Sequence, residues 1–125
     1  MRLFRRSRLL SFAHDVKRAG AFAQRRPRLQ TVEVAGIVGS VGRASTLGVD
    51  FRPPMWSRWT ADEARFERIR GAMAAGESLP PIELHKLGRS YYVVDGHHRV
   101  AAARLLGQLD IDATVVELVP ARRSA

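Results

Sequence analysis

The sequence predicts a single α/β (α+β) domain, a small mixed sheet with helices, preceded by a basic N-terminal helical arm. Short β-branched runs alternate with helical patterns over residues 31–120. At residues 90–107 a strand runs through one glycine into an alanine-rich helix. A chain of 125 residues with 46% hydrophobic content suffices for one core. We therefore divide the chain into an arm (1–30), a domain (31–120) and a tail (121–125).

The arm carries almost all of the net charge. Residues 1–28 hold nine basic side chains and one acidic one, which leaves them eight of the nine net positive charges. Such a cluster favours a polyanion, either nucleic acid or an anionic membrane surface, and a solvated arm without a partner is the simpler alternative. Apolar residues from Leu9 to Ala23 recur at helical spacing, which predicts an amphipathic helix whose apolar stripe either packs on the domain or contacts a membrane. The candidate nucleic-acid contacts are Arg2, Arg5, Arg6, Arg8, Lys17, Arg18, Arg25, Arg26 and Arg28.

The first half of the domain contains one predicted strand and one predicted helix. Residues 32–38 are rich in β-branched side chains and predict the strand, and an irregular segment follows to residue 59. Thr60 and Glu63 have the spacing of a capping box, which predicts a helix to about residue 75 that ends at Gly76. Its predicted inward face is Phe66, Ile69 and Met73.

The second half predicts a hairpin, a helix and a final strand. Two prolines introduce a strand over residues 82–87, and a short glycine turn connects it to a strand over residues 91–95. The following helix covers residues 97–106 and stops at Gly107. The last strand is expected over residues 113–119.

The junction at Gly96 predicts a phosphate-binding site. The first amides of a helix lack internal partners and lie at its positive end, and a glycine there leaves room for a ligand. Arg99 in the first turn adds a planar set of donors that suits phosphate oxygens. Asp95 beside a phosphate implies a divalent cation or a hydroxyl group between them, or else it caps the helix.

The two adjacent histidines do not predict a metal site. His97 and His98 project about 100° apart on a helix, so they cannot readily chelate one ion. One of the two can donate to phosphate or transfer a proton, while the other packs on the sheet. The glycine-rich segment 39–43 offers further anion ligands, Ser40 and Arg43, and Arg52 is a third candidate cation.

Cysteine is absent from the chain. This excludes disulfides, thiolate metal sites and cysteine nucleophiles, and it fits a cytoplasmic location. The apolar run after residue 8 is too short for an export signal or a membrane span.

Two segments resemble the ParB/sulfiredoxin-like superfamily: Pro-Pro-Ile-Glu-Leu from residue 80 and Tyr-Tyr-Val-Val-Asp-Gly-His-His-Arg-Val-Ala-Ala-Ala from residue 91. The resemblance covers residues 32–119. It implies that Gly96 and Arg99 belong to a helix that holds nucleotide phosphates, and that Ser40 and Arg43 lie over the nucleotide. Sulfiredoxins carry a reactive cysteine where this chain has His97, so sulfinate reduction is excluded.

The resemblance implies a ParB-like module that binds and hydrolyses a nucleotide (ATP, ADP or CTP) at the N-terminus of the Asp-Gly-His-His-Arg helix and acts near DNA, with Mg²⁺ as a candidate cofactor. One alternative is a phosphotransferase for a small alcohol such as free serine, with Asp95 or Glu83 as base. A second is a metal-dependent nuclease that uses Asp95 and His98. The sequence does not specify the oligomeric state.

Overall fold

The computed structural model of the chain describes residues 8–20, 22–55 and 61–121. The helices are α1 (Phe12–Ala19), α2 (Ala61–Ala74) and α3 (His97–Leu106), and a 3₁₀ turn covers Val34–Gly36. The strands are β1 (Leu10–Ser11), β2 (Phe22–Gln24), β3 (Arg28–Glu33), β4 (Ile37–Ser40), β5 (Ile82–Leu87), β6 (Ser90–Asp95) and β7 (Asp110–Pro120). No helix in these ranges is long and apolar enough to cross a bilayer.

The strands form one mixed sheet that must curl. Its order is β1-β4-β6-β5-β7-β2, and β3 pairs with the first half of β7. The β1–β4, β4–β6 and β5–β7 pairs are parallel, and the other pairs are antiparallel. In a flat sheet β3 and β4 would lie about 19 Å apart, because three strands separate them. The turn that joins Glu33 to Ile37 can span at most about 14 Å, so the sheet curls to bring the two strands together.

Helices cover both faces of the sheet. Val93 of β6 points into the main core, where it joins Phe66 of α2 and Val100 of α3. Its neighbour Tyr92 points to the opposite face and packs with Phe12 of α1. Adjacent strand residues alternate in direction, so the two clusters lie on opposite faces of β6.

The predicted hairpin and the helix after it are confirmed. β5 and α3 have the predicted bounds, and β6 begins one residue earlier than expected. The helix α2 is also confirmed: Phe66 is buried, and Ile69 and Met73 pack against the main core. Thr60 of the predicted capping box lies outside the described residues.

The single strand predicted over residues 32–38 is wrong. This run is divided between β3 and β4, and the 3₁₀ turn between them carries the chain from β7 to β6. Local β propensity is high on both sides of the turn, so it does not reveal that the two halves pair with different strands. The last strand is longer than predicted, because β3 and β2 both pair along it.

The basic segment differs from the predicted helical arm. Within the described residues 8–20 and 22–30, helix covers Phe12–Ala19 alone, and short strands of the main sheet flank it. Leu9 and Phe12 are buried, and the Tyr92 hydroxyl donates to Asp15 Oδ2 at 2.6 Å. The apolar stripe therefore packs on the domain, which is one of the two placements that the sequence allows.

Candidate functional site

Gly96 joins β6 to α3 in a conformation that favours glycine. Its φ is +113°, and a Cβ atom there would lie 2.5 Å from Cγ2 of Ile82. Its missing side chain therefore permits close packing on β5, a reason for the glycine that differs from the ligand access predicted from the sequence. No side chain caps α3 at this residue. The first helical hydrogen bond of α3 is donated by the Val100 N–H to the Gly96 carbonyl. The amides of residues 97–99 precede the helical hydrogen-bond pattern and lie at the positive end of α3.

Ser40 and His97 form a buried pair beside this helix end. Ser40 Oγ lies 2.7 Å from His97 Nε2 and accepts the Arg43 N–H at 2.8 Å. Ser40 is fully buried and His97 is 9% exposed. Burial, assisted by the positive charge of Arg43 and opposed by Asp95, lowers the pKa of His97 to about 4. His97 is therefore neutral near pH 7, and the pair fixes the turn after β4 against α3.

Arg43 lies on the turn that Ser40 and His97 hold against the N-terminus of α3. The charge of its guanidinium is close enough to His97 to affect the pKa of that imidazole. Within the part of the chain that is described, its guanidinium has neither an ion pair nor a side-chain hydrogen bond. Ser40 therefore contacts α3 through His97, and the roles of Ser40 and Arg43 as phosphate ligands stay predictions.

His98 interacts with a residue that the sequence analysis did not select. Its Nε2 lies 2.7 Å from Oδ1 of Asp62, and the two side chains are 14% and 19% exposed. Asp62 is the second residue of α2 and His98 the second residue of α3, so the N-termini of the two helices meet here. An acidic residue in the first turn of a helix is common, which is why Asp62 gave no signal of its own in the sequence.

Arg99 makes an internal contact. Its Nη1 donates to the Pro80 carbonyl, and its Nε is buried without a hydrogen-bond partner. Burial lowers the pKa of Arg99, and the nearby Asp112 carboxylate opposes that shift. The guanidinium therefore holds the segment before β5 against α3, and a phosphate contact by Arg99 stays a prediction.

Arg52 is also engaged within the protein. Its Nη2 lies 2.5 Å from Oε2 of Glu63, and its guanidinium stacks 3.8 Å above the Phe66 ring. These contacts anchor the segment before α2 to the first two turns of that helix. Arg52 also lines a cleft of about 380 Å³ together with Val49 and Leu105. Its role as a phosphate ligand stays a prediction.

Glu83 and Asp95 lie opposite each other in the β5–β6 hairpin. Both side chains are exposed, and Asp95 makes no hydrogen bond to the described residues, so it does not cap α3. In residues 8–20, 22–55 and 61–121, no group of three or more His, Asp or Glu side chains is arranged to hold a metal ion. The hairpin therefore presents a pair of carboxylates directly before the helix end.

The basic residues of the N-terminal segment are at the surface where they are described. Arg8, Lys17, Arg18, Arg25, Arg26 and Arg28 are all exposed. The Arg25 guanidinium lies 3.9 Å from Glu117, a loose and solvated ion pair. Arg2, Arg5 and Arg6 lie outside the described residues.

The comparison with protein families agrees with the resemblance seen in the motifs. A family model described as the ParB N-terminal domain matches residues 51–124. Among solved structures, the fold is similar to the crystal structure of sulfiredoxin from Arabidopsis thaliana, at 18% identity and a TM-score of 0.47, over 71% of this chain and 84% of that one. A search of curated proteins finds no match. The chain belongs to the ParB N-terminal domain family.

Proposed function

We propose that this domain binds the phosphate groups of a nucleotide at the N-terminus of α3. The observation that carries the proposal is that the amides of residues 97–99 lie at the same helix end as the turn that carries Arg43, whose guanidinium has no ion pair among the described residues. Helix amides and an arginine together are a frequent phosphate-binding combination, because both supply donors and positive charge. The position matches the Gly-x-x-Arg helix that the family resemblance implies.

The surrounding contacts support a preorganised site. Ser40 accepts the Arg43 N–H and pairs with His97, so the turn that carries Arg43 is tied to the first residue of α3. A ligand would therefore find the cation and the amides already close together, which lowers the ordering cost of binding.

The two carboxylates of the hairpin suit a nucleotide that is bound together with Mg²⁺. Mg²⁺ commonly uses one or two protein carboxylates together with phosphate oxygens and water. Asp95 precedes Gly96 directly, and Glu83 lies opposite it. These two side chains would hold the ion, whose charge would offset their repulsion of the phosphates.

A panel of nucleotides tests the proposal. We expect ATP, ADP or CTP to raise the melting temperature of the full chain, and Mg²⁺ to increase the shift. Arg43→Gln should weaken the affinity of the bound nucleotide about 10- to 100-fold, because a hydrogen bond to a charged group is lost. Arg89→Gln, in the exposed turn at the other end of β6, is the matched control and should bind as the parent does. Absence of any nucleotide-dependent shift or calorimetric binding would refute the proposal.

We also propose, as a second function, sequence-independent association with DNA. The observation that favours it is the set of exposed basic residues around α1 and between β2 and β3, in a segment that holds most of the net charge. Because Leu9 and Phe12 are buried, deleting residues 1–28 would remove part of the core, so charge substitution is the better test.

The test compares two charge-matched triple variants on a duplex of arbitrary sequence. Replacing Arg25, Arg26 and Arg28 by Gln should reduce the slope of log affinity against log salt by about 3, since each phosphate contact contributes about 0.9. Replacing Arg65, Arg68 and Arg89 by Gln, which are exposed elsewhere, should leave the slope unchanged. Equal slopes for the two variants would refute the DNA-binding role of this segment.

A further inference from the structure

His98 and Asp62 form the one described imidazole–carboxylate pair, and it lies at the junction of two helix N-termini. The atoms His98 Nε2 and Asp62 Oδ1 are 2.7 Å apart, although the residues are 36 positions apart in the chain. Both side chains are mostly shielded from water. His98 occupies the same first turn as the amides of the proposed phosphate site.

The hydrogen bond selects one form of the His98 ring. An ionised carboxylate can only accept, so the hydrogen between the two residues belongs to Nε2. In the neutral imidazole the lone pair is then on Nδ1, which has no hydrogen-bond partner among the described residues. His98 can thus accept a proton at Nδ1 while Asp62 holds the ring in place.

The neighbouring His97 cannot take this role. Its ring is buried against Ser40, and its pKa is lowered to about 4, so it is a poor proton acceptor near neutral pH. Two adjacent histidines therefore have different environments: His97 maintains the fold around Arg43, and His98 is held by a carboxylate.

We propose that the Asp62–His98 pair is the general base for a nucleophile that attacks the terminal phosphate of a nucleotide bound at the N-terminus of α3. This inference rests on the proposed nucleotide-binding function and adds the reaction to it. His98 is the catalytic residue, and Asp62 is a positioning residue that acts through His98.

The proton and electron changes are as follows. The oxygen of a water molecule or an alcohol forms a bond to the terminal phosphorus, and its proton passes to Nδ1 of His98. The bond between that phosphorus and the bridging oxygen breaks, and its electron pair leaves with the shortened nucleotide. The imidazolium that forms is stabilised by the Asp62 carboxylate, and its proton then passes to solvent. With water the products are the shortened nucleotide and inorganic phosphate, and with an alcohol they are the shortened nucleotide and a phosphate ester.

The test measures binding and turnover separately in the full chain. ATP, ADP and CTP are supplied with Mg²⁺, with and without free serine, and the products are followed by ³¹P NMR. His98→Gln places an amide donor near Asp62 but lacks the basic nitrogen, and Asp62→Asn removes the charge that selects the tautomer. Both should lower kcat by about 100-fold or more and change nucleotide affinity less than threefold. Glu67→Gln, an exposed carboxylate paired with Arg70 on the same helix, is the control and should keep the parent kcat.

A second measurement does not depend on any variant. In the parent protein near pH 8, ¹⁵N chemical shifts should show His98 protonated at Nε2 and unprotonated at Nδ1. The opposite tautomer would overturn the inference, as would unchanged kcat in His98→Gln. Nucleotide binding by the parent without any phosphate transfer would overturn this inference and leave the proposed binding function intact. Absence of binding would overturn both.

Discussion

Replacement of Gly96 by alanine tests the packing at the start of α3. The new Cβ would lie 2.5 Å from Cγ2 and 2.7 Å from Cβ of Ile82, whereas carbon atoms in good contact are about 3.5–4.0 Å apart. One side chain or the other must move, and overpacking of this kind costs about 1–3 kcal/mol. The positive φ adds about 1–2 kcal/mol for any residue with a Cβ. We expect Gly96→Ala to lower the free energy of unfolding by about 2–5 kcal/mol.

Gly107→Ala is the matched control. Gly107 also has a positive φ, +71°, but no atom lies within 4 Å of the position of its Cβ. It should therefore lose only the backbone contribution of about 1–2 kcal/mol. The effect of alanine on the unfolded chain is the same at both positions, so it cancels in the comparison.

Urea denaturation followed by circular dichroism measures the difference. A lower midpoint at an unchanged m value reports a loss of stability alone. The explanation of Gly96 by close approach to Ile82 would be refuted if the two variants were destabilised equally. It would then follow that β5 and α3 can separate at this point without cost.

Three further predictions concern stability. Between pH 6.5 and about 4 the unfolded chain protonates His97 but the folded chain does not, so the free energy of unfolding should fall as pH falls, by at most about 3 kcal/mol. Denaturation midpoints at pH 7 and 4.5 should show a smaller fall in His97→Gln than in the parent. An equal fall in both proteins would contradict the prediction. Tyr92→Phe removes the hydrogen bond to Asp15 and should lower the free energy of unfolding, measured in urea, by about 1–3 kcal/mol. An unchanged denaturation midpoint would mean that α1 does not depend on this bond. Phe66→Ala should lower the free energy of unfolding by about 3–5 kcal/mol in the same assay, because the ring is buried in the main core beneath Arg52. A loss below about 1 kcal/mol would show that this core repacks around the missing ring.

The sequence was most informative where structure depends on neighbours in the chain. The β5–β6 hairpin and α3 have almost the predicted bounds, because the turn at Gly88, the glycines at both ends of α3 and the alternation of apolar residues are local signals. The strand-to-helix junction at Gly96 was predicted for the same reason, and a phosphate site there stays a proposal. The reason assigned to Gly96 was incomplete, because only the packing of Ile82 against it shows why a side chain is not tolerated.

The partners of the charged side chains could not be predicted. Arg99 binds the Pro80 carbonyl, and Arg52 is paired with Glu63, so both are already engaged within the fold. Arg43 received less weight than Arg99 in the sequence analysis, yet it is the cation beside His97 that has no ion pair in the described part of the chain. Nothing in a local pattern distinguishes an arginine that meets a carbonyl from one that does not.

The sequence by itself determined α2, the β5–β6 hairpin, the glycine junction at which α3 begins, and the absence of any cysteine chemistry. Only the tertiary structure decided that the basic segment adds strands to the sheet and that Asp62 meets His98. The physical reason is range: turns, caps and periodicity act over a few residues, whereas charge pairing and strand pairing depend on which distant segments the curled sheet brings within a few ångströms.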